Sequence, residues 1–457
     1  MTTRLSLALL GAAASLLAAP AAAQILGGGI GGLGSSVGSA VGGLGNAVGG
    51  IGNSVGRLGG LGGLSDATGP AAAQRRSLVG GAFDRIEHLA SSVAETSDSL
   101  LDLRRLRLSL LINAHRAELD RDSAGDPVRR DRLVAVDPDP ASLAAAVAAG
   151  FSVLADERQE ALGLRVVSIG VPRQTNPRKA LDMLRRAVPS LDADFDHIFE
   201  PAGGSLAPTA ERVAGGTAPP GTRIAMIDGG VASHPSLARA SIEQKGFAGP
   251  ASATGHGTAV ASLLLGDQGL FKGAARGARL YVADIYGGNP ASGSALAIVR
   301  ALGWAATKQP RIISMSLVGP ANRAVERAVA AVRSRGIMVV AAVGNDGPAA
   351  PPQYPASYPG VVAVTGVDSR GTALIEAGRA VHLDFAAPGA DLAAALPGNG
   401  YAKVRGTSFA VPLVTARLAA TGSLDRLSRE ARPGKGKIGR GIVCGDCRID
   451  PRSVGAR

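Results

Sequence analysis

Between residues 222 and 423 the chain alternates two apolar rhythms, and this alternation limits the fold more than any other feature of the sequence. RIAMI (223–227), RLYVADIY, RIISMSL, GIMVVAAV and VVAVTG are short, rich in branched residues and apolar at consecutive positions. The stretches 293–307 and 321–335 between them carry helical spacing. Strands apolar on both sides need cover on both sides, which a parallel sheet between helical layers supplies. In such sheets reactive groups gather at the carboxyl ends of strands. Asp228 follows the first run directly, and Asn345 follows GIMVVAAV.

Two further segments join these. His256 lies in GHGTAVAS, between glycines that let the backbone approach closely, and Ser408 lies in GTSFAVP, ahead of an apolar helical run to Ala420. Acyl transfer needs a nucleophile, a base, an acid to orient the base and donors for a developing oxyanion. Ser408, His256, Asp228 and Asn345 supply one of each. A serine at a helix start also keeps its backbone N–H uncommitted. Pro412 is expected in the first turn, where its missing N–H does no harm.

With these contexts, the order Asp, His, Asn, Ser resembles the subtilisin-like serine peptidases. SMSLVG, VVAAVGND, YPASYPGVVAVTGVDSRG, FAAPGADL and LPGNGYAKVRGTSFAVPLVTA extend the resemblance over about 200 residues. It implies a three-layer α/β/α catalytic domain with a mainly parallel sheet over 222–423 and serine endopeptidase activity on proteins or peptides. Asp228, His256 and Ser408 would be catalytic, Asn345 would line the oxyanion hole, and Ser316, Leu317, Val318 and Gly344 would bind substrate. The chain departs from the family pattern at Gly229, Ala259, Ser262 and Leu413, none of them a triad position. Val318 stands where the family often has glycine, which predicts a narrowed primary pocket or a shifted peptide, and small or modest P1 side chains in preference to large aromatics. No cofactor is expected. Calcium needs six or more oxygen ligands, and the link GDQGLFKG (266–273) offers Asp267 as its single carboxylate.

The sequence ahead of this body divides further. Residues 1–23 read as a secretory signal: Arg4, an uncharged apolar stretch to Ala19, then Pro20 and Ala21-Ala22-Ala23. This predicts export to the periplasm, cell envelope or medium. The low-complexity stretch 24–70, with 18 glycines between 25 and 64, repeats AVGGLGN, AVGGIGN and SVGRLGG. Glycine costs about 1 kcal/mol per helical position, so it is either a flexible spacer or a glycine-faced helix contacting an envelope or membrane surface. A helical segment is expected at 71–122, with helical character to 121. The region 123–200 reads as a small α+β unit of order βαββαβ, which the resemblance makes a pro-domain, a folding partner and inhibitor of the chain's own catalytic domain. Residues 201–221, rich in Pro, Gly and Ala, are expected to be a linker carrying a processing site between Pro201 and Gly221, and 424–457 a basic tail.

Charge fits such a pairing. Residues 1–221 hold 21 basic and 22 acidic side chains against 27 and 14 in the rest. Fourteen aromatic residues in 457 argue against a nucleic-acid stacking platform. Cys444 and Cys447 predict a small disulfide loop in an oxidising compartment. His88, His115, His197, His234 and His382 are expected to be structural or surface residues. Two other readings stay open: a catalytically silent subtilase-fold envelope or binding protein, and a non-peptidase serine hydrolase. The lack of a GxSxG elbow at Ser408 weighs against the second.

Overall fold

The computed structural model describes residues 97–205 and 215–456. The expected signal, the glycine repeat and the start of the helical segment lie outside the described residues. The first described element, α1 (Ser97–Ala114), ends short of the expected helical boundary. Leu119–Arg121 is instead a strand, β1, antiparallel to β2 (Pro127–Val136). Its turn is fixed by Asp122 Oδ1, which accepts the N–H groups of Ala124 and Asp126, and by Gly125 at φ +91°. Leu119 is fully buried with Leu111, Ile198 and Ala291, a tertiary contact that outweighs helix propensity.

There follow α2 (Pro140–Ala148), β3 (Ser152–Gln159), β4 (Leu164–Gly170), α3 (Pro177–Ala187) and β5 (Ala193–His197). From β2 onward the order is strand, helix, strand, strand, helix, strand. The antiparallel sheet runs β1-β2-β4-β3, with β5 on the remaining edge of β2. Alternate residues serve two cores. Leu133, Ala135, Val167 and Ile169 pack with Leu181 and Leu184 of α3, while Val134, Val136, Leu164 and Val166 join a core shared with the next domain.

Residues 200–205 are not a free linker. β6 (Glu200–Pro201) and β7 (Gly204–Ser205) each pair with the body that follows. That body contains β8 (Arg223–Asp228), β9 (Ser241–Gly246), α4 (Gly255–Leu265), the short hairpin β10 (Asp267–Gln268) and β11 (Phe271–Lys272), β12 (Arg279–Asp284) and α5 (Ala295–Thr307). It continues through β13 (Ile312–Met315), β14 (Leu317–Val318), α6 (Arg323–Ser334), β15 (Met338–Ala342), β16 (Val362–Val367) and β17 (Phe385–Pro388). It ends with β18 (Leu392–Ala395), β19 (Tyr401–Arg405), α7 (Thr407–Thr421) and α8 (Leu424–Glu430).

Seven of these strands form one parallel sheet, β17-β16-β15-β13-β8-β12-β9. Its side chains alternate between two cores. Ile224, Met226, Leu280 and Val282 pack with α4 and α7, and Ala225, Ile227, Tyr281 and Ala283 with α5 and α6. This is the three-layer α/β/α arrangement expected from the sequence. The antiparallel sheet covers the outer side of α5 and α6. There Asp196 Oδ1 accepts the N–H of Leu296 and Asp194 Oδ2 that of Arg323, each at 3.0 Å. Two carboxylates spaced i, i+2 on β5 thus meet the amino ends of two helices, where partial positive charge favours them. Cys444 and Cys447 form a disulfide, and the tail folds back, pairing Val443 with Ala386 and Ile449 with Ala393.

Candidate active site

Parallel strands deliver the acid, and a helix start delivers the imidazole. Asp228 ends β8 with 1% exposure. Thr254 caps α4 by accepting the Gly257 N–H, which sets His256 in the first turn. A Cβ on Gly257 would lie 2.3 Å from the Gly229 carbonyl oxygen, so only glycine permits this approach of helix and loop. His256 Nδ1 lies 2.8 Å from Asp228 Oδ1, which also accepts the Gly229 N–H at 2.6 Å. A carboxylate can only accept, so Nδ1 carries the proton and Nε2 is the basic nitrogen. The Nε2 edge faces Gly203.

Ser408 comes from the first turn of α7, behind Gly406 at φ +141°. Its backbone N–H donates to the carbonyl oxygen of Ala202 at 3.1 Å. Asn345 Nδ2 donates to the same oxygen at 2.6 Å, and Asn345 Oδ1 accepts the Thr407 N–H at 2.9 Å, which fixes the amide's orientation. Two donors converging on one carbonyl oxygen can stabilise negative charge there. Pro412 is the sixth residue of the helix, not a first-turn residue. Its missing N–H would orphan the Ser408 carbonyl, and Ser316 Oγ donates to that oxygen at 3.0 Å instead.

The oxygen in this cradle belongs to a segment threaded through the cleft. The Phe199 N–H donates to Gly293 O at 2.7 Å and the Ala202 N–H to Ser316 O at 3.0 Å. Glu200 and Pro201 lie antiparallel to Val318 and Leu317, and beyond the cradle Gly204 and Ser205 lie antiparallel to Arg405 and Val404. Four expected binding residues are therefore present at one place. Ser316, Leu317 and Val318 hold the segment, and Val318 faces Gly344, on which a Cβ would lie 3.4 Å from Val318 Cγ1. Ala202 and Val318 are buried in the same core. Phe199 is fully buried against Gly319, whose Cβ would fall 2.5 Å from the ring.

Sequence reasoning did not find Phe199, Glu200, Ala202 or Gly203, nor the cationic pair over them. Arg107 reaches Glu200 at 3.1 Å and Asp346 at 2.9 Å, while Arg104 reaches Asp126 at 2.5 Å and Asp346 at 3.1 Å. Burial opposes the charge on Arg107, but Asp346 and Glu200 hold its pKa well above the ordinary arginine value. An i, i+3 pair of arginines on α1 was the available signal, and it says nothing of partners 239 residues away. Burial also pushes the Tyr286 hydroxyl well up, with Asp228 and Glu200 adding to the shift.

The remaining candidates fall elsewhere. Asp267 pairs with Lys272 at 2.5 Å. His197 sits between Asn322 and Asp122, and His234 between Ser236 and the Gly400 carbonyl. His382 lies in a bend before β17, with Nε2 2.8 Å from the Val361 carbonyl oxygen.

Comparison with known proteins agrees with the fold. The profile of the subtilase family matches residues 220–430. The chain is similar to Subtilisin Savinase of Lederbergia lenta, 35% identical over 205 residues, covering 44% of this chain and 75% of that protein. The major intracellular serine protease of Bacillus subtilis is 33% identical over 233 residues, 47% of this chain and 73% of that one. The chain spans about half of an alkaline protease of Alkalihalobacillus alcalophilus, at 35% identity over 44% of this chain and 53% of the relative. Fervidolysin of Fervidobacterium pennivorans superposes with a TM-score of 0.60 at 20% identity, covering 69% of this chain and 60% of that one, a likeness of fold. The chain belongs to the subtilase family of serine peptidases.

Proposed function

We propose that this protein is an exported serine endopeptidase made as a pro-enzyme that cuts itself between Ala202 and Gly203. One observation carries the reading: the Ala202 carbonyl oxygen receives both the Ser408 N–H and the Asn345 side-chain amide. The bond that follows that carbonyl lies beside His256. In this mechanism His256 Nε2 takes the hydroxyl proton as Ser408 Oγ attacks the Ala202 carbonyl carbon. Asp228 holds the imidazole tautomer and stabilises its charge. Asn345 and the Ser408 N–H hold the oxyanion. The Ala202–Gly203 bond breaks as His256 passes the proton to the Gly203 nitrogen, and water then hydrolyses the acyl-enzyme, returning the proton to Ser408.

Residues 97–202 act as the pro-domain in this reading. Their sheet supports α5 and α6, their last residues occupy the substrate strand's position, and α1 ties that strand to Asp346 through Arg107. Val318 beside Ala202 supports the expected preference for small P1 residues. Export rests on the signal-like residues 1–23, and among the described residues no helix is long and apolar enough to cross a membrane. Processing inside 201–205 replaces the broader window read from the linker.

A fluorophosphonate probe and casein test the peptidase reading together. The processed protein should be labelled on Ser408 and should hydrolyse casein, and Ser408→Ala should do neither. A processed, folded protein that takes no label would favour the silent-scaffold reading.

A further inference from the structure

Space, not backbone conformation, accounts for glycine at position 203. Gly203 has no positive φ, so an alanine could adopt its backbone angles. What an alanine would lack is room. A Cβ there would lie 2.7 Å from His256 Nε2, 2.8 Å from His256 Cδ2 and 3.1 Å from Phe409 Cζ. The imidazole is tied to Asp228 by the 2.8 Å hydrogen bond, so turning away would undo the arrangement on which its basicity depends. Phe409, 4% exposed, backs the imidazole with ring centroids 5.5 Å apart. Neither wall of the gap is the loose end of a flexible side chain.

We infer that Phe409, with His256, forms a filter at the P1′ position that favours cleavage of bonds preceding glycine, so that the enzyme's preferred substrates are peptides with a small residue followed by glycine at the cut. The inference deepens the peptidase reading and rests on it. Phe409 immediately follows the proposed nucleophile on α7, and it sets specificity on the leaving-group side while Val318 sets it on the acyl side. The triplet Ala202-Gly203-Gly204 recurs as Ala214-Gly215-Gly216, which gives the chain a second segment of the same class.

The test uses internally quenched peptides of sequence Phe-Glu-Pro-Ala-X-Gly-Ser with X as Gly, Ala or Leu, and the processed protein in wild-type, Phe409→Ala and Phe409→Met forms. The ratio of kcat/KM for Gly over Ala is the readout, because partial unfolding of a variant lowers both terms equally. An overpacked methyl predicts a wild-type ratio of about tenfold or more, and a larger ratio for Leu. Removing the ring lets the peptide shift off the imidazole, so Phe409→Ala should bring the ratio to within about threefold, with Phe409→Met between. A wild-type ratio near one, or a ratio unchanged in both variants, overturns the inference. Fluorophosphonate labelling needs no P1′ residue. Label without glycine preference rejects the filter alone, and absence of label rejects the peptidase reading beneath it.

Discussion

Replacing Asn345 by alanine removes the shorter of the two hydrogen bonds on the Ala202 oxygen, 2.6 Å against 3.1 Å from the Ser408 N–H. In the resting chain that oxygen is a neutral carbonyl, and the bond contributes on the order of 1 kcal/mol. As Ser408 Oγ adds, the oxygen becomes an anion and the same bond is worth about 3–4 kcal/mol, or roughly 10²–10³ in rate. Alanine also deletes the acceptor of the Thr407 N–H, a cost to folding on the order of 1 kcal/mol. The variant should therefore fold and accumulate as uncut precursor. The rate of conversion, followed by gel densitometry after refolding with a melting curve to verify the fold, should drop at least about a hundredfold. Asn345→Asp keeps the acceptor for Thr407, loses the donor and sets a negative charge against the carbonyl, so it should be at least as slow. A folded Asn345→Ala protein that converts within tenfold of wild type would refute the assignment of this amide to the oxyanion.

Further outcomes follow from other contacts. Val318→Gly should open the pocket beside Ala202 and raise kcat/KM for Phe at P1, relative to Ala, by about 10-fold or more in peptides that keep glycine after the cut, the scale of one aromatic ring admitted to a buried pocket. Equal Phe and Ala rates in wild type would remove the reasoning. Arg107→Ala leaves Glu200 and Asp346 facing each other without their shared cation, so the cut leader should leave faster and the lag between cleavage and casein hydrolysis should shorten. An unchanged lag would show that the Arg107–Asp346 contact does not hold the leader on the catalytic body. Burial lowers the pKa of His234 below its ordinary value. Folding then holds it neutral, so its contribution is present above about pH 6.5 and lost as pH falls through the lowered value. His234→Gln should flatten that acid limb of the melting temperature against pH, and an identical limb would contradict the assignment.

Much of this was legible because parallel strands advertise themselves. Consecutive Val and Ile runs fixed the β8, β12, β13, β15 and β16 positions, and Asp228 and Asn345 sit where strand ends place polar groups. The local contexts of His256 and Ser408 were equally readable, since a helix start and flanking glycines leave a sequence trace. What escaped notice depends on contacts far apart in the chain. A helix to residue 121 followed from periodicity, yet Leu119 turned into β1 because Leu111, Ile198 and Ala291 bury it. Pro412 looked like a first-turn proline, and only the Ser316 hydroxyl, 92 residues away from Ser408, shows how a later turn tolerates it. The Pro-Ala-Gly composition of 201–205 reads as a linker because its order comes from β14 and β19, not from its own propensities. Asp194 and Asp196 carried a usable signal, two acids on one face of a strand, but no sign of the helices they cap.

The most direct measurement of the central claim is the intact mass of the leader fragment released when the wild-type precursor is refolded, beside Ser408→Ala refolded in parallel. The account predicts a wild-type fragment whose last residue is Ala202 at the earliest time points, and a serine variant that stays in one piece. A fragment ending elsewhere, or the same fragment from the variant, would contradict it.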